Sequence, residues 1–225
     1  MSHTRLAESL SQSCPEADAS PPIGGMFKRF FDVVAALAGL VVLSPLLLML
    51  ALLVKCSDGG RVFYGHRRIG RNGRVFRCLK FRTMVENGDE VLAAHLAKNP
   101  QDREEWAATR KLQNDPRVTR VGAVLRKLSL DELPQIFNIL RGEMSFVGPR
   151  PVVGDELLMY GTAASFYLQS RPGLTGLWQV SGRNDVSYGT RVAFDRHYVE
   201  NWSFVFDLKI LIWTVPAVFS SRGSY

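Results

Sequence analysis

The sequence lacks the motifs that mark the commonest nucleotide-binding and metal-binding sites. None of the patterns G-x-x-x-x-G-K-[ST], G-x-G-x-x-G and H-E-x-x-H occurs in the 225 residues. A P-loop, a Rossmann dinucleotide site and a zincin-type metalloprotease site are therefore excluded. The 4 histidines, His3, His66, His95 and His197, are scattered along the chain, and we assign none of them a role.

Cysteine is scarce as well. The chain has 3 cysteines, Cys14, Cys56 and Cys78, and no pair has C-x-x-C spacing. Neither a disulfide framework nor a zinc knuckle is indicated, which predicts a reducing compartment. Because 46% of the residues are hydrophobic, the chain can build a core, and wholesale disorder is excluded.

Acidic residues are absent from the most basic part of the chain. The stretch from Arg61 to Arg82 has 8 basic residues and no acidic one, whereas the rest of the chain has 20 basic and 21 acidic residues. The whole net charge of +7 therefore comes from this stretch. An evenly basic, histone-like coat is excluded, and local contact with an anionic partner is predicted.

One long apolar run, from Val33 to Val54, contains no charged residue. A helix of these 22 residues would be about 33 Å long, enough for a bilayer core of about 30 Å. A buried core helix is the alternative, but core helices of soluble domains usually keep a polar stripe. The run therefore predicts a membrane segment.

Ser44 and Pro45 lie at the middle of this run. A proline removes one backbone hydrogen bond of a helix and predicts a kink. The segment can then span the membrane, or it can bend and return to the face from which it entered. Basic residues at both ends favour two cytoplasmic ends, but composition alone leaves both topologies open.

The other patterns predict an α+β chain that is mainly helical. Residues 1–25 are rich in Ser and Pro and predict a disordered tail. Residues 61–83 predict a β-hairpin that turns at Gly70 to Gly73, and its basic residues can contact lipid head groups or bind phosphate.

Two helices are predicted within 88–112, the second starting at Pro100, and further helices at 117–128, near 187–200 and from Phe204 to Phe219. The last of these is either a core helix or an interfacial one, and we favour the interface. Residues 171–180 predict a turn leading into a short strand.

Two adjacent acids, Asp131 and Glu132, precede a helix whose apolar residues recur at helical spacing. Ser129 and Glu132 match a capping box, which would explain the acids structurally. Pro134 argues against that register, so we expect Asp131 to cap the helix and Glu132 to lie in its first turn. Two carboxylates beside several arginines also suit phosphoryl chemistry, in which one carboxylate is the nucleophile and the other holds a divalent metal.

Several motifs occur in a fixed order over residues 26 to 220. They are K-R-F-F-D from Lys28, the apolar run with Ser-Pro, KFRTM from Lys80, LRKLSLDELPQ from Leu125, GEMSFVGPRP from Gly142 and RPGLTGLWQVSGRN from Arg171. In these motifs the chain resembles the bacterial sugar transferases, the monotopic phosphoglycosyltransferases that start glycan or exopolysaccharide assembly on polyprenyl phosphate.

The resemblance implies a fold and a set of roles. It implies a re-entrant helix-break-helix at residues 26–56, broken at Ser44 and Pro45, and a cytosolic membrane-surface catalytic domain at 57–225 with a β-hairpin and interfacial amphipathic helices. Asp131 would attack the β-phosphate of a UDP-sugar, release UMP and form a phosphosugar-aspartyl intermediate, which undecaprenyl phosphate then attacks. Glu132 and Asp131 would hold Mg²⁺. The phosphate-binding residues would be Lys80, Arg82, Arg126, Arg150 and Arg183.

The resemblance also implies a location and partners. The protein would lie on the cytoplasmic face of the inner (cytoplasmic) membrane and meet a UDP-sugar, undecaprenyl phosphate and membrane lipids but no nucleic acid, with a homodimer left open.

The run from Val62 to Gly70 resembles enzymes that transfer galactose-1-phosphate or glucose-1-phosphate, and we favour galactose. We expect Lys80 and Arg82 to point to the diphosphate, and Arg67, Arg68, Arg71 and Arg74 to face the membrane surface or solvent.

Two other functions stay open from the residues. One is a non-enzymatic protein of the membrane surface whose basic hairpin binds anionic lipid or nucleic acid. The other is a scaffold subunit that has lost activity, against which the intact pair of Asp131 and Glu132 argues.

Overall fold

The computed structural model describes residues 21–109, 112–181 and 186–219, so most of the predicted tail lies outside the described residues. The described chain is mainly helical and has two two-stranded sheets. Its helices are α1 (Gly25–Asp58), α2 (Gly88–Lys98), α3 (Pro100–Thr109), α4 (Arg120–Lys127), α5 (Gln135–Arg141), α6 (Gly154–Leu158), α7 (Ala164–Gln169), α8 (Leu177–Ser181), α9 (Tyr188–Glu200) and α10 (Phe204–Phe219). Its strands are β1 (Phe63–Ile69), β2 (Val75–Phe81), β3 (Ser145–Val147) and β4 (Gly173–Thr175).

Most of the predicted elements are confirmed. Two helices occupy the 88–112 region, and the second begins at Pro100 as expected. The helices predicted near 187–200 and from Phe204 to Phe219 are α9 and α10. Helix α4 begins three residues later than predicted, because Thr119 caps it by accepting a hydrogen bond from the Gly122 N–H.

Strands β1 and β2 form the predicted antiparallel hairpin. Phe63 lies opposite Phe81 at the open end, and Ile69 lies opposite Val75 at the turn. Asn72 and Gly73 adopt positive φ angles of 56° and 73°, a backbone conformation that suits glycine and asparagine. The turn predicted between Gly70 and Gly73 is therefore confirmed.

Strands β3 and β4 pair in parallel, and two glycines allow their loops to meet closely. A Cβ atom on Gly173 would lie 2.2 Å from the backbone nitrogen of Gly148, so neither position has room for a side chain. The Gly173 N–H donates to the Pro149 carbonyl at 2.8 Å, which fixes the loop around Arg150. The short strand expected in 171–180 is β4, and the residues after it are helical.

Helix α1 is 34 residues long and stays helical through Ser44 and Pro45, so the predicted break is not an interruption of secondary structure. Pro45 has no N–H for the Val41 carbonyl, and the Ser44 hydroxyl donates to that carbonyl at 2.8 Å instead. Within the described residues, α1 is the helix whose length and apolar composition would allow it to cross a membrane. Its re-entrant path stays a prediction.

Helix α1 is buried on the rest of the chain near both of its ends. Its buried residues are Lys28, Asp32 and Ala36 near the start and Leu50 and Val54 near the end. The opposite face is an exposed apolar stripe, in which Val41 is 75% and Leu48 is 64% exposed. Its other members are Phe27, Phe30, Val34, Leu37 and Leu52. The helix thus has a lipid-compatible outer face and a protein-compatible inner face.

Both ends of α1 are attached to the same domain. Near its start, Lys28 forms a buried ion pair with Asp207 of α10. Near its end, Leu50 and Val54 pack on Phe81 and Leu125. An ion pair between Asp58 and Arg82 adds to this second attachment.

Helix α10 closes the domain against the start of α1. Ile210 is fully buried, whereas Ile212 is 68% and Val215 is 59% exposed. Phe204 contacts the rings of Phe27 and Phe31 edge to face, at centroid distances of 5.0 and 5.1 Å. The helix therefore belongs to the core on one side and leaves an apolar surface on the other.

A buried cluster of tyrosines joins the hairpin to α9. The Tyr167 hydroxyl donates to the Ile69 carbonyl at 2.7 Å and accepts from the Val152 N–H at 3.2 Å. The neighbouring Tyr160 donates its hydroxyl proton to Asp195 Oδ2 at 2.7 Å. Burial raises the pKa of Asp195 to about 7, although the Tyr160 hydrogen bond and the charge of Arg150 act in the opposite direction.

The Asp195 carboxyl group makes the free energy of unfolding depend on pH. Its pKa is raised in the folded state, so its contribution to stability is complete below the ordinary value of 3.8 and is lost as the pH rises towards about 7. One pKa unit corresponds to about 1.4 kcal/mol. We expect Asp195→Asn, which cannot ionise, to gain melting temperature relative to the wild type between pH 5 and pH 8, as measured by thermal unfolding in detergent. The exposed Asp89→Asn serves as the control and should show no such trend. An Asp195→Asn difference that is the same at every pH would contradict the assignment.

Candidate active site

The two adjacent acids lie in a tight turn between α4 and α5. Residues Leu130–Glu132 form one turn of 3-10 helix, and Ser129 before it has a φ of 55° and makes no side-chain capping bond. The capping box suggested by Ser129 and Glu132 is therefore not formed. Our expectation that Asp131 caps the following helix is wrong, because α5 begins at Gln135.

Pro134 lies between the tight turn and α5. A proline has no N–H to donate, so this residue makes no backbone hydrogen bond back into the turn. The backbone instead makes bonds between residues three apart, from Leu133 N to Leu130 O at 3.3 Å and from Ile136 N to Leu133 O at 3.1 Å. Asp131 and Glu132 are thereby held one turn before α5 rather than within it.

Lys80, at the end of β2, binds both acids. Its Nζ lies 2.6 Å from Glu132 Oε1 and 3.4 Å from Asp131 Oδ2. Burial alone would lower the pKa of Lys80, but the carboxylates of Glu132 and Asp131 together outweigh it and raise this pKa. Lys80 is therefore a firmly charged ammonium group in contact with both carboxylates.

A buried amide links the strand that carries Lys80 to the helix after the acids. Asn138 of α5 is completely buried and accepts from the Leu79 N–H at 2.9 Å. Its Nδ2 donates to the Arg77 carbonyl at 2.8 Å and to Glu143 Oε2 at 2.6 Å. Because Leu79 directly precedes Lys80, this side chain fastens β2 to the helix that follows the acidic pair.

The two acids differ in their protonation behaviour. Asp131 is 8% exposed, and burial raises its pKa, with Lys80 and Arg126 lowering it and Glu132 raising it further. Burial also acts to raise the pKa of Glu132. The charges of Lys80, Arg150 and Arg68 outweigh this effect, so the pKa of Glu132 is lowered. Such a divergence between neighbouring carboxyl groups is typical of sites where they have different roles.

Arg126 and Arg150 act on the two acids through their charges. The charge of Arg126 acts to lower the pKa of Asp131, and that of Arg150 acts to lower the pKa of Glu132. Arg126, in the last turn of α4, donates from Nε to the Thr83 hydroxyl at 2.9 Å. Arg150 is exposed, and its guanidinium carbon lies 5.6 Å from the centroid of the Trp178 ring. Of the predicted phosphate-binding residues, Lys80 is therefore in contact with both acids, and Arg126 and Arg150 are near enough for their charges to act on them.

Arg82, also predicted to bind phosphate, pairs with carboxylates outside this turn. Arg82 is buried and forms ion pairs with Asp58 at the end of α1 and with Glu86 at 3.2 Å. These contacts attach the membrane segment rather than face Asp131. Arg183 lies outside the described residues.

Sequence reasoning missed Arg68, Glu156 and Asn138. Arg68 of β1 lies 3.3 Å from Glu156 Oε2 and contributes to the low pKa of Glu132, so it does not simply face solvent. Side chains alternate between the two faces of a strand, so Arg67 and Arg68 point to opposite sides. The sequence alone does not show which of these sides faces the core. Asn138 gives a weaker signal, a polar residue among the apolar residues of α5.

The acidic pair is compatible with a magnesium ion. The described residues contain no group of three or more His, Cys, Asp or Glu side chains that could enclose a metal. Mg²⁺ usually keeps several waters and is bound by one or two carboxylates together with substrate phosphates. Two adjacent carboxylates therefore fit a site that a phosphate-containing substrate would complete.

The family model for bacterial sugar transferases matches residues 23–221. The chain is 68% identical over 224 residues to the exopolysaccharide production protein ExoY of Rhizobium meliloti (strain 1021), covering 100% of this chain and 99% of that protein. It is 53% identical over 198 residues to the undecaprenyl-phosphate galactose phosphotransferase of Salmonella typhimurium, covering 88% of this chain and 41% of that longer protein.

A third relative carries a different sugar in its name. The UDP-glucose:undecaprenyl-phosphate glucose-1-phosphate transferase of Caulobacter vibrioides is 39% identical over 208 residues, covering 88% of this chain and 72% of that protein. These relatives are thus sugar-phosphate transferases of lipid carriers or proteins of exopolysaccharide production. With a family match over almost the whole chain, the protein is an enzyme that belongs to the bacterial sugar transferase family.

Proposed function

We propose that the enzyme transfers galactose-1-phosphate from UDP-galactose to undecaprenyl phosphate and releases UMP, as the first step of exopolysaccharide or glycan assembly. The observation that carries the proposal is the contact of Lys80 with both Asp131 and Glu132. The charges of Arg126 and Arg150 act on the same two carboxyl groups. This arrangement provides a carboxylate nucleophile and positive charge for a phosphoryl group within one site.

The reaction has two displacements at phosphorus. A carboxylate oxygen of Asp131 attacks the β-phosphorus of the UDP-sugar, and the bond from this phosphorus to the bridging oxygen breaks. UMP leaves with the electron pair, and the sugar phosphate stays on Asp131 as an acyl phosphate. An oxygen of undecaprenyl phosphate then attacks the same phosphorus, forms the lipid diphosphate sugar and regenerates the Asp131 carboxylate.

The cations around the pair offset the repulsion between the reactants. The donor diphosphate, the acceptor phosphate and the Asp131 carboxylate are all anionic, so they repel one another without compensation. Lys80, Arg126 and Arg150 hold positive charge where charge builds up on the transferring phosphoryl group. Glu132 holds the Lys80 ammonium at 2.6 Å and so positions it beside the nucleophile.

Glu132 and Asp131 would hold Mg²⁺. When bound, the ion supplies charge neutralisation for the diphosphate. The lowered pKa of Glu132 keeps this carboxylate ionised and therefore available as a ligand.

The attachments of α1 support a re-entrant topology on the cytoplasmic face of the inner membrane. A straight helix of 34 residues would be about 51 Å long, so a spanning α1 would separate its ends by more than a bilayer core. Lys28 near one end and Val54 near the other both contact the domain that carries Asp131. A domain on one side of the membrane can keep both contacts if α1 enters and returns to that side. The Ser44 hydroxyl satisfies the carbonyl that Pro45 leaves free, which suits a bend in lipid.

Replacement of the nucleophile tests the chemistry. We expect Asp131→Asn to lower UMP release from UDP-galactose by about 10³-fold or more, because an amide cannot form the acyl phosphate. Glu132→Gln should lower turnover and shift the Mg²⁺ titration. The exposed Asp155→Asn is a matched control that should keep wild-type rates. Near wild-type UMP release by purified Asp131→Asn would show that Asp131 is not the nucleophile.

Sidedness labelling tests the topology. Single cysteines are placed at Ser20 and Arg61 in a chain whose native cysteines are replaced, and an impermeant maleimide is added to membrane vesicles. We expect both cysteines to react in inside-out vesicles and neither in right-side-out vesicles. Labelling of the two positions from opposite sides would establish a spanning helix and rule out the re-entrant one.

A panel of UDP-sugars tests the sugar. We expect UDP-galactose to give a kcat/KM for UMP release at least about tenfold above that of UDP-glucose, since a site that hydrogen-bonds one C4 hydroxyl geometry rejects the other. UDP-N-acetylglucosamine is the negative control. A preference for UDP-glucose would overturn the galactose assignment but leave the transferase intact.

A further inference from the structure

Strand β1 presents two neighbouring arginines to opposite sides of the hairpin. The register places Arg67 opposite Arg77 and Arg68 opposite Phe76, and side chains alternate between the faces of a strand. Lys80 lies opposite Tyr64, four residues before Arg68 on the same strand. Arg68 and Lys80 therefore share the inner face, whereas Arg67 is exposed on the outer one.

The surroundings of Arg68 differ from those of a solvated surface arginine. Only 20% of its side chain is exposed, and its Nη1 lies 3.3 Å from Glu156 Oε2. Glu156 is held by a second contact, since the same oxygen accepts from the Val153 N–H at 3.0 Å. Glu156 therefore ties Arg68 of the hairpin to the backbone at Val153, three residues after Arg150.

The contact with Glu156 can be exchanged. It is longer than an ideal charge-assisted hydrogen bond, and the Glu156 side chain is 42% exposed, so water screens the pair. A guanidinium group has five donors in a fork that matches phosphate oxygens. An incoming phosphoryl group is thus a better partner for Arg68 than the half-exposed carboxylate.

Arg68 also shares a face of the hairpin with the cation that contacts the acidic pair. The register puts Arg68 and Lys80 on the same side of the two strands. Lys80 is already in contact with both carboxylates. Arg68 is therefore a second cation on that face, and its half-exposed partner Glu156 leaves its donors available to a substrate.

We propose that Arg68 is a phosphate-binding residue of the active site, which rests on Glu156 in the empty enzyme and moves to a phosphoryl oxygen of the bound substrate. The proposal rests on the transferase function given above. The phosphoryl group belongs either to the donor diphosphate or to the lipid phosphate of the acceptor, and both present the same oxygens to a guanidinium group.

The experiment compares two variants that remove the same charge from adjacent positions. Arg68→Gln and Arg67→Gln are prepared as full-length protein in detergent, and UMP release is followed with and without undecaprenyl phosphate. We expect Arg68→Gln to lower kcat/KM by about tenfold or more for one substrate, with partial recovery in Arg68→Lys. Arg67→Gln should stay within about twofold of the wild type. Equal effects of Arg67→Gln and Arg68→Gln would overturn the proposal.

The assays with and without undecaprenyl phosphate identify which phosphate Arg68 binds. A loss of UMP release without acceptor, together with a raised KM for UDP-galactose, assigns Arg68 to the donor diphosphate. Unchanged UMP release without acceptor, together with a raised KM for undecaprenyl phosphate, assigns it to the lipid phosphate. Unchanged values in both arms contradict the proposal.

Glu156→Gln separates phosphate binding from a structural ion pair. This variant removes the ion pair but keeps the Arg68 charge, and glutamine can still accept from the Val153 N–H. If Arg68 binds phosphate, Glu156→Gln should keep kcat and lower KM, because its competitor is gone. If the pair is structural, Glu156→Gln should lose as much activity as Arg68→Gln, which overturns the proposal.

A binding measurement makes the result independent of turnover. UDP should raise the melting temperature of the wild type and of Arg67→Gln, and Arg68→Gln should show a smaller rise if Arg68 binds the donor diphosphate. An acceptor role predicts that smaller rise with undecaprenyl phosphate instead. If both ligands raise the melting temperature of Arg68→Gln as much as that of the wild type, Arg68 does not bind phosphate. Absence of UMP release from the wild type would count against the proposed function and leave this comparison valid.

Discussion

The buried ion pair between Lys28 and Asp207 fixes the start of α1 to the last helix of the chain. Burying two charges is costly, so such a pair needs further hydrogen bonds to be tolerated. Asp207 accepts them from the Tyr198 hydroxyl at 2.7 Å and from the Trp202 indole at 3.1 Å. One turn later, Asp32 accepts from the Ser145 hydroxyl at 3.0 Å and from the Phe146 N–H at 3.1 Å. Two successive turns of α1 are thereby locked to α10 and β3.

The same attachment reaches the acidic pair through a shared core. Ala36 of α1 packs in one cluster with Phe76 and Cys78 of β2 and with Ile136 and Ile139 of α5. Arg29 adds two hydrogen bonds to the last carbonyls of α5, where a cation also suits the helix dipole. Helix α1 and the helix that follows Asp131 are thus parts of one packing unit. The position of the acidic pair relative to α1 is set by this packing.

Local patterns predicted most of the fold, because they depend on neighbouring residues. The turn at Asn72 and Gly73, the start of α3 at Pro100 and the apolar spacing of α10 needed no knowledge of distant contacts. The acidic pair and Lys80 were likewise named from the sequence, through the resemblance, and the structure brings them into contact.

The remaining features depend on contacts between distant residues. Arg82 lies two residues after Lys80, but its side chain forms an ion pair with Asp58 at the end of α1. The path of the backbone before α5 was predicted wrongly, because a 3-10 turn and an α-helical first turn both tolerate Pro134, and the sequence pattern does not distinguish them. Arg67 and Arg68 looked equivalent until the register of the hairpin distinguished their faces.

Asn138 also covers one of the two outer edges of the hairpin. A two-stranded hairpin has two open edges, and each is a template on which another chain can add a strand. Asn138 occupies the outer edge of β2 through Leu79 N and Arg77 O, and Val152 occupies that of β1 by accepting from Ile69 N. With the middle of β2 and the turn end of β1 covered, the hairpin is protected at these positions from strand addition by another copy of the chain.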